Sequence, residues 1–259
     1  MRTIIACWAL WCISRQGFYD TMDEAIKLVM LRIQDTWKAF RAKNRKKKTT
    51  RKPKKAAKGA KKNSQKIADI LSALPDSATV IFTDGSYIPN PGPAGAGVYM
   101  LAPLPPGEGQ GKTEVRMYRP IGKGTNNTGE VWAVAMACEG ISYLDHHNLR
   151  APGEAHLFYD SKYANDAMIG LIRINENVRL IRGARKCYNN ALHLQSVTRF
   201  YTHWVKGHTG INGNEIADKL AAKGANESKQ GMGPSTTELS EIINAGNFID
   251  YSNSTLITT

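Results

Sequence analysis

Apolar and polar residues change their period several times along this chain, and each change marks an element. TVIFTD (79–84) is a continuous apolar run that ends on an aspartate, the pattern of a buried strand. AGAGVYML (94–101) and EVRMYRPI (114–121) predict the next two strands of an antiparallel meander. LAPLPPGEGQGK between them is a Pro/Gly-rich loop. NTGEVWAVAMACEGISYLDHH (127–147) then takes a helical period, with Val134, Ala137, Ile141 and Leu144 on one stripe. AHLFYD (155–160) predicts a strand, SKYANDAMIGLI (161–172) and ENVRLIRGARKCYNNALH (176–193) two helices. TRFYTHWV (198–205) predicts a last strand and GNEIADKLAAKGA (213–225) a closing helix. Strands first, then helices alternating with strands, imply an α/β fold in which helices cover a mixed sheet.

Charge divides the rest of the chain. Residues 41–66 hold 14 Lys/Arg and no Asp or Glu; the remaining 21 Lys/Arg face 22 Asp/Glu, a net of −1. The overall charge of +13 therefore sits in one segment. AKNRKKKTTRKPKKAAKGAKKNSQK (42–66) predicts a disordered cationic linker able to meet phosphate backbones without regard to sequence. A solubilising spacer or an import signal is the alternative. The linker (42–75) separates a small module (1–41) from the larger domain (76–226). Beyond it, residues 227–259 read as a disordered tail in which TELSEIINA forms one loose helix.

Two further features narrow the class. No apolar run is long enough to span a membrane, and the N-terminal MRTIIACWALWC lacks a small-residue cleavage site, so it reads as a strand. A targeting role, mitochondrial included, is the alternative. Cys7, Cys12, Cys138 and Cys187 form no C-x-x-C pair, which suits a reducing, intracellular setting, nuclear or cytoplasmic.

The candidate chemistry lies in four acids. VIFTDGS and HLFYDSK each put a carboxylate, Asp84 and Asp160, at the carboxyl end of a buried strand. Ligands of open α/β sheets bind at that end. Glu130 starts the 127–147 helix and points inward with its apolar stripe, and Asp218 lies beside the buried side of the last helix. Any one of them alone reads as a cap, a dipole partner or a solvated residue. Four converging carboxylates would repel one another, and hard divalent cations relieve that conflict. Two such ions, Mg2+ with Mn2+ as a substitute, are the cofactor this predicts.

The ordered set TDGSYIPNPGPAGAG, TNNTGEVWAV, FYDSKYA and WVKGHTGINGNEIADKLA resembles the motif series of ribonuclease H, type 1, over about residues 78–224. That resemblance implies the ribonuclease H-like five-stranded mixed sheet with helices on both faces. It implies metal ligation by Asp84, Glu130, Asp160 and Asp218, and a mobile catalytic histidine at His208. It implies a substrate, the RNA strand of an RNA–DNA hybrid, cut to leave 5′-phosphate and 3′-hydroxyl ends. Asn90, Asn126 and Asn127 match positions near the RNA sugars; Lys123, Thr125 and Asn177 match positions holding a DNA-strand phosphate. For each, a turn residue bonding its own backbone is the alternative. Trp204 reads as core.

Residues 9–40 resemble the small hybrid-binding α/β module at the N-terminus of eukaryotic members, with Trp37 and Lys38 at its nucleic-acid contacts. Met22 and Ala39 stand where that module has a tryptophan and a lysine, so a stacking surface and a phosphate contact are missing. The long basic protrusion of some bacterial members is absent after Asp160. No protein partner is implied, and a monomer is expected. A same-fold integrase or transposase and a non-catalytic nucleic-acid-binding protein are the competing readings. The first calls for a final Glu well downstream of the second Asp, and no acid lies between Glu176 and Glu215.

Overall fold

The computed structural model describes residues 53–258 apart from Asn90. The expected 1–41 module, with Trp37 and Lys38, lies outside the described residues, as does Asn90. The chain divides into two units, Met1–Ala57 and Lys58–Thr259, and the second carries the sheet and its helices.

Six strands form one sheet in the order β5-β4-β1-β2-β3-β6. In chain order the elements are α1 (Pro53–Ala73), β1 (Thr79–Tyr87), β2 (Gly92–Pro103), β3 (Lys112–Gly124), α2 (Asn126–His146), β4 (Gly153–Tyr159), α3 (Lys162–Met168), α4 (Val178–Leu192), β5 (Val197–Trp204), α5 (Asn212–Lys229), α6 (Thr236–Ala245) and β6 (Ser254–Thr258). β1, β2 and β3 make the antiparallel meander, while β1–β4 and β4–β5 pair in parallel. The sheet is mixed, as the alternation of elements requires.

Alternation along β1 sorts the two faces. Ile81 joins a core with Val98 and Met100 of β2 and the buried sides of α2 and α4. Val80 and Phe82 point the other way, into a second core with Tyr99, Phe158 and Ala217 of α5. Successive strand residues point to opposite faces, so both faces of β1 need apolar cover. That is why the run reads as continuously hydrophobic rather than alternating.

Three expectations change. The disorder expected for 42–66 does not hold for its second half, which lies in α1. Ile67, Ile70, Leu71 and Leu74 recur at helical spacing and pack on the second core, with Ile67 buried. The flanking lysines hid that stripe from a reading dominated by charge. The tail is likewise folded. Ser235 and Glu238 form a reciprocal capping box that starts α6, and residues 254–258 add β6 to β3, with Val115 opposite Leu256. The sheet therefore has six strands, not five. Phe248, fully buried against Trp132 with ring centroids 5.1 Å apart, fastens the tail. Glu139 accepts hydrogen bonds from the Phe248 and Ile249 amides at 2.6 and 2.9 Å. Arg119 and the Trp132 indole donate to the Phe248 carbonyl at 2.7 and 3.1 Å. No helix among the described residues is long and apolar enough to cross a membrane.

Candidate active site

β1 and β4 lie side by side with Thr83 opposite Tyr159. The next residues are Asp84 and Asp160, so parallel pairing sets two carboxylates side by side where β4 ends; Asp84 does not end its own strand as the sequence suggests, because β1 runs on to Tyr87 against β2. Glu130 arrives from α2 on a different path. Its helix begins at Asn126, capped by Thr125, so Glu130 stands in the second turn and not at the start as the sequence suggests. Favourable interaction with the helix dipole fades beyond the first turn and does not explain this acid. Close approach of strand and helix does. A Cβ on Gly85 would lie 2.2 Å from the Glu130 amide nitrogen, so only glycine lets β1 and α2 meet there.

The result is a cluster in which oxygens of Asp84, Glu130 and Asp160 lie within 4.8 Å of one another. Asp84 and Glu130 are buried, and Asp160 is partly so. Burial, then the neighbouring charges of Asp160 and Asp218, push the Asp84 carboxyl up to about 8. Burial and the charges of Asp160 and Asp84 raise Glu130 well above the ordinary range, and burial raises Asp160. Polar support is thin. The Gly85 amide donates to Asp84 at 2.8 Å, and Asn126 donates to Glu130 at 3.4 Å. Three carboxyls raised by burial, oxygen-only and short of donors, fit a hard divalent cation that replaces the missing positive charge.

A second group adjoins it. His208, Glu215 and Asp218 offer ligand atoms within 4.8 Å of one another. Glu215 and Asp218 are i and i+3 on α5 and so share a face. Sequence reasoning passed over Glu215, although that spacing carried the signal. His208 is exposed, with Nδ1 at 3.8 Å from Asp218 Oδ2, and takes a left-handed backbone at φ 55°. Asp218 reaches both groups, since its charge is one cause of the raised Asp84 carboxyl.

The remaining candidates fall in two places. Thr125 caps α2 by accepting from the Thr128 amide at 3.2 Å, so its turn role is realised. Asn126 and Asn127 open the same helix, beside Glu130. Lys123 and Asn177 line one cavity of about 260 Å³ together with Thr128 and Arg179. Leu239 and Ile243 of α6, the helix expected from TELSEIINA, also line it. Trp204, expected in the core, lies on the edge strand with 36% of its surface exposed. Its indole donates to the Asp160 carbonyl at 2.9 Å, and Lys162 Nζ stands 4.4 Å from the ring centre.

A mixed sheet with helices on both faces, carrying a cluster of carboxylates able to hold a metal ion, fits a hydrolase of the nuclease kind. The family model for RNase H matches residues 76–226. The chain belongs to the RNase H family and is an enzyme of it. Among its relatives, the ribonuclease H of Rhodospirillum rubrum is 32% identical over 167 residues, covering 61% of this chain and 91% of that protein. That of Rhizobium meliloti is 34% identical over 150 residues, covering 56% and 88%. The N-terminal RNase H domain of a Mycobacterium tuberculosis protein, solved as a fusion with maltose-binding protein, is 23% identical. It covers 60% of this chain and 98% of that one with a TM-score of 0.44.

Proposed function

We propose that this enzyme hydrolyses the RNA strand of RNA–DNA hybrids, and that it is of type 1 with the 1–41 module as an accessory hybrid contact. Relatives carrying the name ribonuclease H support the reading. The observation that carries it is the convergence of Asp84, Glu130 and Asp160 within 4.8 Å. These three, with Asp218, would hold two divalent cations, Mg2+ or in its place Mn2+. When bound, such ions neutralise the phosphate and activate the attacking water.

The side chains do the rest. Asp84 and Asp160, fixed by strand pairing, would hold the cations that offset the repulsion between these carboxylates and the scissile phosphate. Water oxygen forms the new P–O bond as the bond to O3′ breaks, which leaves the phosphate on the 5′ side of the downstream fragment. The departing O3′ takes a proton and becomes a hydroxyl. His208, exposed at the rim with Nδ1 3.8 Å from Asp218, moves that proton. Asn126 and Asn127 at the start of α2 read the 2′-hydroxyl, the group that distinguishes RNA from DNA. Asn90 belongs to the same set. Lys123, Thr125 and Asn177 hold a phosphate of the DNA strand.

A strand-resolved assay tests this. Hybrids labelled on RNA or on DNA are incubated with Mg2+, with Mn2+ and with chelator. Cleavage confined to RNA, lost in chelator, is expected. Binding without cleavage in either metal would sink the catalytic reading.

A further inference from the structure

We propose that Asn63, on the helix that precedes the family's matched region, is a positioning residue for the loop that carries His208. The inference rests on the proton-moving role proposed for His208. It also moves the functional start of the nuclease unit from residue 76 back into α1.

Asn63 meets the edge of the sheet where β5 runs out. Its Oδ1 accepts from the Lys206 amide at 2.7 Å, and its Nδ2 donates to the Trp204 carbonyl at 3.4 Å. These two backbone groups flank Val205 and face away from the sheet. On the inner side the Val205 amide donates to the Tyr159 carbonyl at 2.8 Å. The carboxamide therefore does what a further strand would do, satisfying an edge donor and acceptor that water would otherwise take. Val205 is fully buried, so the chain is held from both sides at the last point before the loop.

The catalytic rim begins immediately after Lys206. Gly207 lies so close to Asp160 that a Cβ there would be 2.7 Å from Oδ2. His208 comes next, in its left-handed conformation. Thr209 then closes the turn by donating to the Lys206 carbonyl at 2.7 Å, and the Gly210 amide donates to Glu215 at 3.3 Å. Lys206 is thus fixed at its amide by Asn63 and at its carbonyl by Thr209. A shift there would be transmitted to Gly207 against Asp160 and to His208 beside Asp218. Ile67, one helical turn beyond Asn63, is buried in the second core and fixes α1 against the sheet. The clamp consequently has a rigid base.

The test uses the full chain and two variants. Asn63→Ala removes both bonds; Asn63→Asp keeps the acceptor for Lys206 and discards the weaker donor. Amide hydrogen exchange over 205–211 should quicken by about five-fold in Asn63→Ala, the value of one net hydrogen bond, while β1 and α2 are unchanged. Asn63→Asp should stay close to wild type. Unchanged exchange in Asn63→Ala overturns the clamp. On labelled hybrid, Asn63→Ala should lower kcat by about five-fold with KM unchanged, and should add no further loss in a His208→Ala background. An equal fold-loss in both backgrounds, or an effect confined to KM, overturns the positioning role. Wild-type kcat in His208→Ala would instead remove His208 from the reaction, and the exchange result would still decide the clamp.

Discussion

Asp84 is held with its carboxyl pushed up to about 8, and removal of its charge has two opposite consequences. Asp84→Asn should cost at least about 100-fold in hybrid cleavage, since disturbing even the residues around metal ligands costs 10–100-fold. Hybrid binding should stay largely intact, as a gel-shift titration beside the cleavage assay would reveal. Near-normal turnover would contradict the metal assignment. The same variant should be more stable than wild type without metal, because it ends a buried repulsion. Proton linkage sets the sign of the pH dependence. An acid whose folded value lies above its unfolded value of 3.8 keeps a proton that the unfolded chain loses, so wild-type stability declines as pH rises from about 4 to about 8. The gap in Tm between Asp84→Asn and metal-free wild type should therefore widen across that window, and Mg2+ at pH 8 should close it. A gap constant with pH would dismiss the raised carboxyl.

At the scale of elements, strand–helix proximity decides whether the acids meet. Gly85→Ala would force β1 and α2 apart, since the new methyl would fall 2.2 Å from the Glu130 amide nitrogen. Overpacking of this kind costs about 1–3 kcal/mol, so the urea midpoint should drop. Hybrid cleavage should fall further than the stability loss explains, because Glu130 is displaced from Asp84. A stable, fully active Gly85→Ala would refute the close contact as the device that completes the cluster. The tail is a second case. Phe248→Ala should destabilise by about 3–5 kcal/mol, the range for emptying a buried aromatic site. It should also raise exchange in β6 and α6, which a tail merely lying on the surface would not show.

At the scale of the whole molecule, the basic segment and the catalytic unit overlap in α1. A truncation at residue 66 would cut that helix and remove Asn63. Deletion of 42–52 spares it and removes the first part of the cationic segment without touching the 1–41 module. That deletion should raise KM for hybrid several-fold at physiological salt and flatten its salt dependence, with saturated kcat little changed, because backbone contacts release counterions. An unchanged KM and salt slope would take the segment out of substrate binding.

Much of the fold and the site was legible in the chain itself. Asp84 and Asp160 announce themselves because each ends a continuous apolar run, and a carboxylate at such a point needs a reason. The order of strands and helices follows from hydrophobic period, a local property that residues a few positions apart express without help. Helix α1, strand β6 and Glu215 escaped notice because their local signals are weak or masked. Lysines crowd the chain just before the stripe of Ile67 and Leu71, and β6 is only five residues long, in a tail fastened by Phe248 on Trp132. The sequence determined which groups carry charge and where the apolar runs end. Only the tertiary structure decided which of them share a site, because their distance depends on contacts between segments far apart in the chain, here Gly85 against Glu130 and Asn63 against Lys206, that no local pattern encodes.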